Sequence, residues 1–288
     1  MKKIFKQTLL FAALAAIAGG AAAQITSTPH NLSSGGTGAN HVTGTTAETG
    51  TTQICVFCHT PHGADTTAPA PLWNKALPAG ADFKTYDDIK SSTIDGKILA
   101  VGSVSLACLS CHDGTQAMDN IINAPGSGGL TTGGGVNGLN YTWTTGGSVS
   151  TTGQLTGVAA LGDGSKDLSN DHPIGIQYCG GGVTGAADAV TANCADLDFR
   201  TTELRTKSIN GQQAFWVDLG TAANQRDKGD IILYTRDFGT AGTPAVGPSV
   251  ECASCHDPHS SKTTTSSDVN FMRVTTAGSA ICLACHVK

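Results

Sequence analysis

Eight cysteines and four histidines recur in one five-residue pattern: Cys55-Val-Phe-Cys58-His59, Cys108-Leu-Ser-Cys111-His112, Cys252-Ala-Ser-Cys255-His256 and Cys282-Leu-Ala-Cys285-His286. Two thiols separated by two residues reach the two vinyl groups of one porphyrin, and the adjacent imidazole then meets the iron from the same side. A zinc ribbon would use the paired thiols but has no use for a histidine directly after every second cysteine. A disulfide framework leaves the same histidines unexplained. The pattern implies four covalently attached c-type haems. Two cysteines, Cys179 and Cys194, fall outside it in a glycine-rich stretch. A disulfide between them is the default in an exported chain, and a loop of about 15 residues contributes about 3 kcal/mol in the chain-entropy model.

Five histidines remain for four distal positions: His30, His41, His62, His172 and His259. Met1 lies in the leader, so only Met118 and Met272 could serve as thioether ligands. Bis-histidine ligation of every iron is therefore within reach. An iron closed on both faces passes electrons and binds no substrate, which argues for a carrier over a haem enzyme. His62 and His259 sit in His59-Thr-Pro-His62 and His256-Asp-Pro-His259. Three residues span about 10 Å at most, too little to wrap a porphyrin rim, so each is expected on a neighbouring haem. Pro61 and Pro258 restrict the turns that aim them. His172 stands alone in Asn170-Asp171-His172-Pro173, with Asp171 a candidate to orient the ring. Of His30 and His41, at least one is expected to ligate and the other to be spare.

The elements that must position these groups are less visible. Both ends of the chain read Cys-x-x-Cys-His-x-Pro-His followed by Cys-Leu-x-Cys-His, which divides the chain into two dihaem modules. Residues 1–23 read as a cleaved signal peptide, with Lys2, Lys3 and Lys6 before a short apolar run and Ala21-Ala22-Ala23 at the cleavage site. Residues 24–288 form a single multihaem domain: an N-terminal module at 24–114, a Gly/Thr-rich haem-free insertion at 115–250, and a C-terminal module at 251–288. Gly126 to Gly157 suggests loops. Gln213–Asp218 and Asp230–Thr235 read as two strands joined by the polar linker 222–229. The fold class is mostly irregular chain with short helices at the haem motifs and a small β-hairpin around a haem-stacked core. The hydrophobic fraction of 39% leans on Ala and Val, and the chain holds 37 Gly, so the macrocycles would supply the missing apolar mass. A net charge of −5 with 14% charged residues offers no basic surface for nucleic acid.

His30-Asn-Leu-Ser, Ile54-Cys-Val-Phe-Cys-His-Thr-Pro-His62-Gly, Pro71-Leu-Trp73-Asn, Cys108-Leu-Ser-Cys-His-Asp-Gly114 and Asp171-His-Pro-Ile-Gly175 together resemble exported multihaem cytochromes of metal-reducing bacteria. Within these, the chain looks most like the OmcE-type tetrahaem cytochromes, which polymerise into extracellular filaments. The resemblance implies a continuous haem chain through a homopolymer, with one axial histidine donated by the neighbouring subunit; here the donor would be His30 or His41. It implies an exported location, extracellular or on the outer surface, with the periplasm as the alternative. Periplasmic or outer-membrane cytochromes would donate electrons, and metal oxides, electrodes or other cells would accept them. A monomeric electron shuttle and a haem oxidoreductase acting on a small oxyanion are the competing readings.

Overall fold

The computed structural model describes residues 25–125, 138–220, 225–260 and 271–287. The leader expected at 1–23 and parts of the glycine-rich stretch and of the polar linker lie outside them. Most of the described chain is turn and irregular segment. The helices are α1 (Ser103–His112), α2 (Cys252–Cys255) and α3 (Ala280–Leu283), with a 3-10 turn at Cys55–Phe57. All four coincide with Cys-x-x-Cys-His motifs.

The strands lie between the modules. β1 (Ile176–Gln177), β4 (Leu204–Ile209), β5 (Gln212–Val217), β6 (Ile231–Asp237) and β7 (Val246–Val250) form one sheet in the order β1-β7-β6-β5-β4, every pairing antiparallel. β2 (Val183–Ala186) and β3 (Ala189–Ala192) form a separate pair. The two sequence-visible runs pair as β5 and β6, with Phe215 opposite Leu233 and Val217 opposite Ile231, and they are the inner strands of a sheet rather than an isolated hairpin. Asn210-Gly211 makes the tight β4–β5 turn, with φ of 50° and 79°. A two-residue turn of this type needs both residues left-handed, which Asn and Gly tolerate. Cys179 and Cys194 form a disulfide with Cα atoms 5.2 Å apart, tying the segment after β1 to the segment after β3.

The apolar interior is split into three small clusters, and three of the motifs supply residues to them. Val56 and Phe57 of the first motif pack with Leu32, Val42, Met118 and Trp143. Leu109 of the second packs with Phe83, Val101 and Leu168. Ala284 of the fourth packs into the sheet with Tyr178, Leu204, Phe215 and Val217. In the third motif, Ala253 and Ser254 are buried. The protein thus holds each motif by its intervening residues.

β7 runs directly into α2, and a buried carboxylate locks that junction to α1. Glu251 accepts hydrogen bonds from Ser105 Oγ (2.6 Å), Ser249 Oγ (2.9 Å) and Arg236 Nη1 (3.3 Å). Ser105 Oγ in turn accepts from the Cys252 amide at 3.0 Å, and Ser254 closes a capping box on Glu251. Gly102, just before α1, leaves room for the Arg236 guanidinium: a Cβ there would lie 2.6 Å from Nη2. Removing one member of a buried pair strands the other. Glu251→Ala should therefore cost about 3 kcal/mol, read as a lower denaturant midpoint by circular dichroism, whereas Lys90→Ala, in an exposed ion pair with Asp87, should leave the midpoint unchanged.

Candidate haem centre

Each motif folds so that its histidine amide returns to its first cysteine. His59 N donates to Cys55 O at 2.8 Å, His256 N to Cys252 O at 3.1 Å and His286 N to Cys282 O at 2.9 Å; in the second motif α1 runs through to His112. One helical turn places both thiols and the imidazole on the same side, with the two intervening residues toward the protein. Cys179 and Cys194 are bonded to each other, and none of the eight motif cysteines is in a disulfide. Burial pushes the Cys58 and Cys285 thiols up to about 12 and the Cys255 thiol to about 11.

The motifs adjoin one another in chain order. Cys58 and Cys111 lie within electrostatic reach, which links the first motif to the second. Cys108 and Cys252 are in side-chain contact across α1 and α2, linking the second to the third. Cys255 is within reach of Cys282 and Cys285, linking the third to the fourth.

Distal candidates come from other parts of the chain. His59 faces His259 with ring centres 6.1 Å apart and planes at 16°. His112 faces His30 at 6.2 Å and 55°. Metal–imidazole bonds of about 2 Å on opposite faces of one ion, plus the two ring radii, put the ring centres about 6 Å apart. Rotation about that axis is free, so both angles are compatible. His172 lies within electrostatic reach of His286. His256 lies within electrostatic reach of His112. Among the described residues, no ring contact joins His41 or His62 to a motif histidine.

Backbone carbonyls fix the tautomers. A carbonyl only accepts, so a ring nitrogen beside one carries the proton and leaves the other nitrogen free as a ligand. Nδ1 of His59 donates to Pro71 O (2.8 Å) and that of His112 to Ala159 O (2.8 Å). Nδ1 of His30 donates to Pro258 O (3.3 Å), that of His41 to Gly38 O (2.8 Å) and that of His172 to Pro173 O (3.0 Å). The partner of His172 is thus its neighbouring carbonyl and not the Asp171 carboxylate, whose Oδ2 is buried without a partner. Burial and the neighbouring His112 lower His30 to about 4, which keeps it neutral, the form that binds metal.

Several supporting residues lie outside the Cys-x-x-Cys-His motifs. Asn74 donates to Val56 O (2.6 Å) and its amide donates to Cys58 O (2.9 Å), pinning Pro71–Asn74 along the first motif. Trp73 stands edge-on to His59 at 5.8 Å, Phe271 stacks on His30 at 4.1 Å and Phe199 packs on His286 at 4.3 Å. Each is an aromatic held far from its partner in sequence.

The donor set fits a c-type haem. Each motif makes the single turn that such attachment needs, and two motif histidines have a second imidazole at the spacing an axial pair requires. A zinc ribbon would need several of these side chains to converge, and among the described residues no three His, Cys, Asp or Glu side chains do so.

Comparison with known proteins agrees at the level of the motif. The doubled CXXCH motif family model matches residues 245–288, the segment with the third and fourth motifs. No curated protein and no solved structure matches the chain. The matched motif type marks covalently bound c-type haem and supports a multihaem, electron-transferring cytochrome. Replacing His259 or His30 by Ala should open one face of one iron. Each variant should then bind carbon monoxide when reduced, seen as a shifted Soret band, at a site the unaltered protein keeps closed. Spectra unchanged by the gas would overturn that axial pairing.

Proposed function

We propose that the chain is a tetrahaem c-type cytochrome that conducts electrons as the subunit of an extracellular filament, passing them from periplasmic or outer-membrane cytochromes to an extracellular acceptor such as a metal oxide, an electrode or another cell. The observation that carries the reading is the pairing of histidines between motifs. His259, from the loop of the third motif, faces His59 of the first. His30, bonded to Pro258 in that same loop, faces His112 of the second. An imidazole passed from the loop of the third motif to the first would hold those macrocycles close, as electron hopping requires, and an iron paired in this way has no open face for a substrate.

When bound, haem iron supplies a one-electron couple; the chain itself supplies geometry. Cys55, Cys58, Cys108, Cys111, Cys252, Cys255, Cys282 and Cys285 would anchor the macrocycles. His59, His112, His256 and His286 would be proximal ligands, with His259, His30 and His172 opposite three of them. His41 and His62 are left for the fourth position, either within the subunit or across an interface. His41, near the N-terminal end of the described chain, is the candidate for donation to a neighbouring subunit.

Haem content per chain by pyridine haemochrome, with the intact mass, tests the count: four haems are expected. Negative-stain imaging of material sheared from the producing cell tests the filament. His41→Ala should impair assembly if the residue bridges subunits. Normal filaments with intact bis-histidine spectra in that variant would sink the assignment. A purely monomeric protein by size exclusion would favour the shuttle instead, and nitrite binding to the reduced, unaltered protein would favour an oxidoreductase.

A further inference from the structure

A basic side chain is wholly enclosed beside the first two motifs. Lys75 is 0% exposed. Its ammonium donates to Ala117 O (2.9 Å), Met118 O (3.3 Å) and Asn120 O (3.0 Å), so its three protons meet three carbonyls. A buried cation is costly unless its donors are satisfied in this way. Its position follows from the first motif, because the preceding residue, Asn74, is bonded to Cys58 O and Val56 O. The carbonyls it bonds belong to the segment that packs on the motif: Met118 shares a cluster with Val56 and Phe57, and Cys58 and Cys111 line that cluster.

Two carboxylates stand nearby, and they are not shared equally. Asp119 is 0% exposed and its Oδ2 accepts the Tyr141 amide at 2.8 Å. Asp113, adjoining His112, is buried and accepts from the Thr115 and Gln116 amides and the Thr115 hydroxyl. Lys75, Asp113 and Asp119 lie within electrostatic reach of Cys111, and Lys75 lies within reach of Cys58. Along the chain, Lys75 follows the Asn74 bonded to the first motif, and Asp113 follows His112 of the second. The first motif therefore sits beside a cation, and the second beside the same cation opposed by two anions.

We propose that Lys75 is a fixed buried cation that sets the reduction potential of the haem held by Cys55, Cys58 and His59 above that of the haem held by Cys108, Cys111 and His112. The proposal rests on the haem reading above. Reduction removes one positive charge from the iron centre, so a cation held beside it in a water-poor site favours the ferrous form, and an anion the ferric form. Lys75 is thus a positioning residue for the redox step. It makes the first motif the place where an electron rests within the N-terminal pair.

Spectroelectrochemical titration of the haem-loaded protein at pH 8 tests this; burial pushes the Asp119 carboxyl up, and an alkaline pH favours its ionised form. Lys75→Gln should disfavour reduction of one haem at least tenfold, 59 mV for a one-electron couple. The component that moves should be the one missing from a Cys55→Ala/Cys58→Ala variant. Lys75→Arg should return it to within threefold of the original. Asp119→Asn, nearly isosteric, should move the second-motif component the opposite way, upward. Loosened packing alone would shift both variants in the same direction. An unmoved first-motif potential in Lys75→Gln with full haem content would overturn the inference, as would same-sign shifts in the two variants. Should Lys75→Gln not accumulate, Asp119→Asn decides: an upward shift supports the proposal and no shift overturns it. A Cys55–Cys58 peptide lacking haem by mass spectrometry would instead overturn the underlying haem reading.

Discussion

Covalent haem attachment asks one short segment to present two thiols and an imidazole on a single side, and the rest of this structure follows from that demand. A single helical turn satisfies it and consigns the two residues between the cysteines to the opposite side. Those residues must then find protein to pack against. Val56 and Phe57, Leu109, Ala253 and Ala284 are the buried representatives of the four turns. Around three of the turns the chain builds an apolar cluster, and the five-stranded sheet is the support for the last. The sheet is a platform for a motif and not an independent module.

The second demand is orientation of the imidazoles. Five of the nine histidines meet it with the least specific partner available, a backbone carbonyl. Carbonyls cost no side chain and only accept, so each fixes the ring tautomer without adding a titrating group. The carbonyl of Pro258 does more. It holds His30 from inside the loop that carries His259, so one loop governs the rings facing both His59 and His112. Perturbing that loop should be felt at two motifs together.

Charge is the third ingredient, and it is sparingly used. Three of the buried charged side chains next to the motifs are well bonded: Lys75 by three carbonyls, Glu251 by two hydroxyls and a guanidinium, Asp113 by two amides and a hydroxyl. In a dry interior each is worth more than a surface charge. Glu251 serves rigidity by joining β7, α1 and α2. Lys75 and Asp119 bear on the redox groups themselves. A chain that reads as poor in charge has placed some of it where the dielectric is lowest.

The sequence by itself determined what is local. Covalent attachment chemistry is legible in five residues because thiol spacing and the adjacent imidazole fit inside one turn. β5 and β6 are legible as apolar runs, and Asn210-Gly211 carries an equally local turn signal for the neighbouring hairpin. The Cys179–Cys194 pairing follows by elimination once eight thiols are spoken for. What the sequence left open is every relation between distant segments. Nothing in His59-Thr-Pro-His62 and His256-Asp-Pro-His259 says that the second loop would face the first motif while His62 stands apart. Nothing near Lys75 says that its ammonium would be closed over by residues 117–120. Local chemistry is written in spacing along the chain, whereas the facing of two rings or the burial of one charge depends on how irregular segments close on each other, and only the tertiary structure decides that.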